Sequence, residues 1–182
     1  MEFIHIRSVD AQEFKAAWTI YLSSFPSDER RTLAAQKTVF DNTAYHFFVV
    51  CEDDRVVAVL TTWTFKKFFF VEHLAVARGF RGKGLGTKVI SSYLAHKRKK
   101  VVLEVELPKT ELAMKRIRFY TKRGFVPNAF AYIQPSYGKD KDPVPMFLMT
   151  YPEKINGSEF SSIREKLHTI VYGLDQSLLQ MR

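Results

Sequence analysis

From Glu2 to Val9 apolar and polar side chains alternate, as EFIHIRSV, with the two-residue period of a strand that buries one face. The period then lengthens. Phe14, Ala17, Trp18, Tyr21 and Leu22 recur at three- and four-residue steps, which predicts a helix with Asp10 as its N-cap. SFPSDERR interrupts that pattern, and Ser27 stands as the cap of a second, short helix reaching about Phe40. HFFVVCE and VVAVLTTWTF, on either side of DDR, read as an antiparallel hairpin, and KKFFFVEHLAV extends it into a meander. A helix is predicted over GTKVISSYLAHKRKK and a strand over VVLEVELP, ended by Pro108. TELAMKRIRFYTKRGF follows as a helix between the cap Thr110 and the stop Gly124. FVPNAFAYI and PMFLMTY are late strands separated by the polar loop QPSYGKDKDPV. From about Ser158 to Arg182 a last helix is expected, striped by Ile163, Leu167, Ile170, Val171, Leu174 and Leu178.

A meander that runs into strand, helix, strand, helix, strand predicts an α/β fold: a mixed, mostly antiparallel sheet of about seven strands flanked by helices. Residues 1–151 are expected to form one domain. Residues 152–182 form a helical extension packed on that domain or at a dimer interface.

Composition narrows the setting without naming a function. The 182 residues are 46% hydrophobic and 26% charged, ordinary for a globular domain. No apolar run reaches the roughly 18 residues of a membrane span, and MEFIHIRSVD lacks the basic and apolar regions of a secretory signal, so a cytoplasmic location is expected. The single cysteine, Cys51, reads as a small strand residue. The histidines show no metal-ligand spacing, so no metal is expected. The formal charge of +9 suits a polyanionic partner, which includes nucleic acid, an acidic membrane and a phosphorylated small molecule. HKRKK, residues 96–100, reads as the solvated last turn of its helix, where cations complement the dipole.

The candidate chemistry lies in RGFRGKGLGTK. Gly82, Gly84 and Gly86 alternate at the end of the strand containing Ala75 and Val76, and a helix opens behind them. Bare amides at a helix N-terminus, rimmed by Arg81 and Lys83, make an anion site. A triphosphate-binding P-loop would need lysine where Leu85 stands, and a dinucleotide fingerprint would need glycine at Thr87. Neither register fits.

Arg81-Gly82-Lys83-Gly84-Leu85-Gly86, after the strand end HLAV, resembles the coenzyme-A-binding motif of the GNAT N-acetyltransferases, and RFYTKRGF with Phe119, Tyr120, Gly124 and Phe125 resembles a later segment of that family. The resemblance covers residues 2 to about 151. It implies transfer of the acetyl group of acetyl-CoA directly to a primary amine, with acetyl-CoA as cosubstrate and no metal. It implies that the amides of residues 81–87 hold the pyrophosphate, that the backbone of Leu74, Ala75 and Val76 orients the thioester arm, and that Tyr120 protonates the departing thiolate. Ala113 and Arg116 depart from the family's usual residues on the second helix, and Arg116 and Arg118 are alternative phosphate contacts. Glu72, in the strand leading to the turn, is the candidate base, with His73 as its alternative; strict alternation puts Glu72, Leu74 and Val76 on one face and His73 and Ala75 on the other. For the acceptor, Asp28, Glu29, Tyr137 and Asp140 are amine-facing candidates on loops. Two rival readings stay open: a basic nucleic-acid-binding module, and a GNAT-like domain that senses acetyl-CoA without transferring its acetyl group.

Overall fold

The computed structural model describes residues 1–95 and 97–175. It contains β1 (Glu2–Ile6), α1 (Phe14–Ser24), α2 (Leu33–Val39), β2 (Tyr45–Glu52), β3 (Arg55–Thr64), β4 (Phe68–Val76), α3 (Leu85–Leu94) and β5 (Lys100–Glu106), followed by α4 (Glu111–Thr121), β6 (Val126–Pro127), β7 (Tyr132–Gln134), β8 (Val144–Tyr151) and α5 (Gly157–Lys166). The fold is α/β and mostly antiparallel. The chain divides into two compact units, Met1–Leu103 and Glu104–Arg182, with the boundary inside β5.

In the first unit β1, β2, β3 and β4 pair in sequence order as an antiparallel meander. Asp53 and Asp54, at φ 49° and 58°, form the two-residue turn between β2 and β3. Left-handed residues in such a turn match the twist of the strands, and aspartate tolerates that conformation better than most side chains. β5 joins in parallel, from Phe68↔Lys100 to Val71↔Leu103. Phe47, Leu60, Trp63, Phe70 and Ile90 are buried in this unit's core. Each such side chain contributes about 1.5–3 kcal/mol on leaving water.

In the second unit β8 pairs antiparallel with β6 at Val126↔Thr150 and with β7 at Tyr132↔Met146. Thr110 caps α4 by accepting from the Ala113 amide at 3.1 Å. Gly124 takes φ +84° behind α4, and a Cβ there would stand 3.1 Å from the Tyr151 ring. Asn156 and Glu159 form a capping box at the start of α5, and Phe160 stacks on Phe130 with ring centroids 4.6 Å apart.

Several boundaries differ from the sequence reading. Asp10 is not the cap of α1: its carboxylate accepts from the Ser8 hydroxyl at 3.0 Å, and α1 begins at Phe14 behind Glu13. Leu22, placed in that helix's apolar stripe, is exposed, while Ile20 is buried. Ser27 opens only a short 3₁₀ turn, and Thr32 caps α2 by accepting from the Ala35 amide at 3.2 Å. α3 stops at Leu94 rather than running through the basic tract. The Lys97 ammonium instead lies 4.4 Å from the centre of the Phe69 ring and 4.3 Å from that of Tyr93, a cation–π position off the helix axis. His96 lies outside the described residues.

FVPNAFAYI is two short strands, so the described residues hold eight strands, in keeping with a sheet of about seven. Pro127 brings no N–H to the ladder, the Asn128 backbone amide donates to the Leu148 carbonyl at 3.0 Å, and the Asn128 side chain adds further bonds. Its amide nitrogen donates to the Leu148 carbonyl and the Thr150 hydroxyl, and its oxygen accepts from the Ile155 amide. The final helix ends at Lys166, and a π-helical turn continues through Val171. Leu178 lies outside the described residues.

Candidate functional site

β4 delivers the chain into the glycine turn, where Gly82 and Gly84 both take φ +78°. Gly84 is the N-cap of α3 and offers no side-chain acceptor. The first helical bond runs from Lys88 N to Gly84 O at 3.1 Å, so the amides of the first turn, from Leu85 through Gly86 to Thr87, precede any acceptor within the helix. Nothing lies within 4 Å of where a Cβ would stand on Gly82 or Gly84. Open space, outward amides and the positive end of a helix dipole are what a phosphate-bearing ligand requires.

The two cations of the turn are placed differently. Arg81 Nε donates to the Val76 carbonyl at 2.8 Å and its terminal nitrogen to the Ser24 hydroxyl at 3.0 Å, so this guanidinium ties the turn to the end of β4 and to α1. The exposed Lys83 carries its ammonium 5.7 Å from the centre of the Phe80 ring. Leu74, Ala75 and Val76 pair with Leu60, Val59 and Ala58 of β3. The parallel ladder with β5 has already ended at Val71↔Leu103, so the opposite edge of β4 from Glu72 onward lies beyond that ladder.

Glu72 sits at an irregularity. Thr61 pairs with His73 and Thr62 with Val71, which leaves Glu72 as the extra residue of a bulge. The bulge removes the strict alternation: Glu72 and His73 both reach the Thr61 hydroxyl, at 3.5 and 3.1 Å, instead of facing opposite ways. The Glu72 side chain is 0% exposed although the residue as a whole is half-buried, so its exposure belongs to the backbone. Its carboxylate accepts from Arg31 at 2.5 Å and from the Trp63 indole at 2.9 Å. Arg31, also buried, lies against the faces of Tyr45 and Trp63, and its amide donates to the Tyr21 hydroxyl at 2.8 Å. His73 Nε2 donates to the Glu29 carbonyl at 2.9 Å, which fixes Nδ1 as the acceptor from Thr61. Burial first, and Arg31 second, lower the His73 pKa, against the opposing pull of Glu72 and the Glu29 hydrogen bond. The imidazole is accordingly held neutral.

In the second unit Tyr120 is buried against Phe119 and Phe125, at centroid distances of 5.0 and 5.5 Å. Burial pushes its phenol up to about 12, with Arg116 lowering it and Glu106 raising it. Arg116 is engaged in an ion pair with Glu106. Cys51 is half-buried, and its thiol is pushed up by burial and by Glu13, Glu2 and Asp54, which keeps it from becoming a nucleophile.

Arg31, Thr61, Trp63 and Glu104 escaped the sequence reading. Arg31 meets Glu72 across 41 residues of chain. SFPSDERR held the one local hint, a second arginine where a single loop charge would suffice for solubility. Of the loop carboxylates proposed for an amine, Glu29 contributes its backbone carbonyl to His73.

The chain as a whole is matched by known proteins. The model of the acetyltransferase (GNAT) family matches residues 12–125, and the chain belongs to that family. It is 34% identical over 106 residues to YjbC, a provisionally named acetyltransferase of Bacillus subtilis (strain 168), a stretch covering 56% of this chain and 52% of that protein. A provisionally named GNAT-family acetyltransferase from Bacteroides thetaiotaomicron superposes with a TM-score of 0.89 at 34% identity, over 96% of this chain and 100% of that one. A GNAT-family acetyltransferase from Elizabethkingia anophelis, solved with acetyl-CoA bound, shares the fold with a TM-score of 0.56 at 13% identity, over 82% of this chain and 95% of that one. Among the described residues, no helix is long and apolar enough to cross a membrane.

Proposed function

We propose that the protein transfers the acetyl group of acetyl-CoA to a primary amine. The observation that carries this reading is the helix N-terminus at Gly84, which has no side-chain cap and follows a strand whose parallel ladder with β5 ends one residue before the buried carboxylate of Glu72. The turn amides of residues 81–87 hold the pyrophosphate, and Lys83 adds charge at its rim. Arg81 keeps the turn in place by bracing it on Val76 and Ser24. The backbone edge of Leu74, Ala75 and Val76 takes up the thioester arm as a strand takes a neighbour.

The amine nitrogen forms a bond to the acetyl carbon, the carbon–sulfur bond breaks, and one proton must leave nitrogen while another reaches sulfur. Glu72 is the base, the covered carboxylate just upstream of the turn. Tyr120 protonates the sulfur; a phenol raised to about 12 still carries its proton at neutral pH.

A second reading, a domain that binds acetyl-CoA without transferring it, is favoured by one observation: the Glu72 carboxylate is already committed to Arg31 and Trp63. Two measurements separate the readings. Calorimetric titration with acetyl-CoA gives a binding isotherm for the natural chain and none for Gly84→Glu, whose circular dichroism remains that of the natural fold. Survival of affinity in Gly84→Glu would overturn the assigned anion site. Release of free thiol in the presence of a panel of primary amines supports transfer; tight binding with no release across the panel supports the silent domain.

A further inference from the structure

The basic residues that follow α3 have no part in the mechanism above. Lys97 is half-buried, with its ammonium 4.4 Å from the centre of the Phe69 ring and 4.3 Å from that of Tyr93, and the Lys99 ammonium lies 5.8 Å from the same Phe69 ring. Strand register shows that Phe69 belongs to a wider surface. It pairs with Thr64, Thr62 pairs with His46, and Phe48 pairs with His5, so the two-residue alternation of strands sets these six side chains on one face of the sheet. The contacts agree. His46 Nε2 meets the Thr64 hydroxyl at 3.1 Å, and the ring of His5 lies 5.1 Å from that of His46 and 4.9 Å from that of Phe48. His46 and Phe48 stack with centroids 6.0 Å apart. α3 covers part of this face, where Thr62 is hydrogen-bonded to the Tyr93 phenol. The other face packs on α1 and α2, through Phe14 against Phe47 and Gln36 against Tyr45. His5, His46, Phe48 and Phe69 are half-buried, so each keeps part of its surface open.

The surroundings of these rings are basic. Arg7 follows β1, Lys66 and Lys67 lie in the turn from β3 to β4, and Arg98 and Lys99 lead into β5; all five are exposed. Phe68↔Lys100 pairing sets the β3–β4 turn beside the start of β5, so the two lysine pairs adjoin. With Lys97 these are six cations, and among the described residues none of the six forms an ion pair. Burial first, then the basic neighbours His5, Arg7 and Lys97, lower the His46 pKa, and burial followed by Arg7 lowers that of His5. The field over the patch is positive. Acetyl-CoA held at the glycine turn does not account for it, because Lys66 and Lys67 precede β4 and the turn follows it, and nine residues at about 3.3 Å each part the two by roughly 25–30 Å.

We infer that this face binds a single-stranded nucleic acid, its bases stacked on His5, His46 and Phe48 and its phosphates answered by Arg7, Lys97 and Lys99. The inference does not rest on the acetyl-transfer reading. Open rings beside cations that lack ion-pair partners match a chain that offers π-faces and negative charges in alternation. A duplex hides its bases and would leave the rings unused. An acidic membrane would answer the lysines and likewise offer nothing to stack. Phe69 and Tyr93 hold Lys97 in place between α3 and β5, where its charge acts on His46.

The test is fluorescence anisotropy of a labelled oligothymidylate, against an abasic strand of the same length and against vesicles of phosphatidylcholine and phosphatidylserine. The natural protein binds the oligothymidylate about 10-fold or more tighter than the abasic strand, and saturating acetyl-CoA leaves that affinity within about twofold. Phe48→Ala weakens oligothymidylate binding by about 5-fold or more and leaves abasic binding unchanged. Should Phe48→Ala fail to fold, Phe48→Leu, which keeps bulk and removes the ring, gives the same loss. Lys97→Gln combined with Lys99→Gln weakens both strands and lowers the slope of log affinity against log salt by about 1.4, at about 0.7 for each cation on a single strand. The acetyl-CoA affinity of every variant, measured by calorimetry, stays at the natural value. Equal affinity for the abasic strand, displacement of the oligothymidylate by acetyl-CoA, or an unchanged salt slope in the double variant overturns the inference. So does the absence of oligothymidylate binding, and vesicle binding in its place would assign the patch to an acidic membrane.

Discussion

Glu72 and Glu104 are both carboxylates on strands, and their surroundings were assembled from opposite materials. Glu72 has a guanidinium at 2.5 Å, an indole N–H and no side-chain exposure. Glu104 sits among phenols and an amide on a half-buried rim. A fixed charge beside a buried carboxylate provides its counter-charge permanently and fixes its direction. Phenol and amide donors hold a carboxylate through directed hydrogen bonds. The first arrangement suits a group that must keep one position while protons pass; the second ties β5 to β7 and to Tyr172.

The sharpest way to break this comparison is to remove the guanidinium. Arg31→Met leaves Glu72 buried without its charge partner and is expected to destabilise the protein by about 3–5 kcal/mol in urea denaturation. A loss under 1 kcal/mol would show that Glu72 does not depend on that ion pair. Neutralising each carboxylate in turn gives the next largest contrast. Glu72→Gln strands Arg31 and removes the base, so turnover is expected to fall by about 10²-fold or more, whereas Glu104→Gln, which keeps the side chain's shape, is expected to lose only about 1–2 kcal/mol of stability and to leave turnover within a few-fold of the natural value. Indistinguishable effects of the two substitutions on stability and turnover would erase the distinction.

The smallest expected effect is in the pH dependence. His73 has a lowered pKa in the folded state, so its contribution is fully present above the unfolded value of about 6.5 and is lost as pH falls through the lower folded value. The groups facing it are the Glu72 carboxylate, Arg31, the Glu29 carbonyl, the Thr61 hydroxyl and the rings of Tyr21 and Phe25. Urea midpoints are expected to hold above pH 7 and decline below 6, with a flatter decline in His73→Gln. Parallel profiles for the two proteins would assign the decline to other groups.

What could be seen in the sequence follows the range over which each feature is determined. Thr110 and Gly124 mark the two ends of α4 through chemistry within a few residues, and both do what their types predict. Gly82 and Gly84 read as a bare turn ahead of a helix, and the structure adds that both take φ +78°. Ser27 failed as the cap of α2 because Thr32, five residues on, takes that role, and Asp10 failed because α1 starts only at Phe14, behind Glu13, with no side-chain cap. The bulge at Glu72 is written in the register between β3 and β4, which a period-two count along β4 alone does not contain. The hydrogen bonds to Glu104 join residues 28 to 68 positions apart, and no local pattern in VVLEVELP or the tail marks their meeting.

The glycine turn has one more consequence, and it concerns handedness. An L-alanine at Gly82 or Gly84 would find nothing within 4 Å of its methyl group, so size is not what these positions refuse. What they refuse is the mirror-image backbone of φ +78°, which costs an L-residue roughly 1–2 kcal/mol and is the ordinary conformation of a D-residue. The turn thus sets two achiral residues, one on each side of Lys83, where the backbone of an L-protein winds the opposite way.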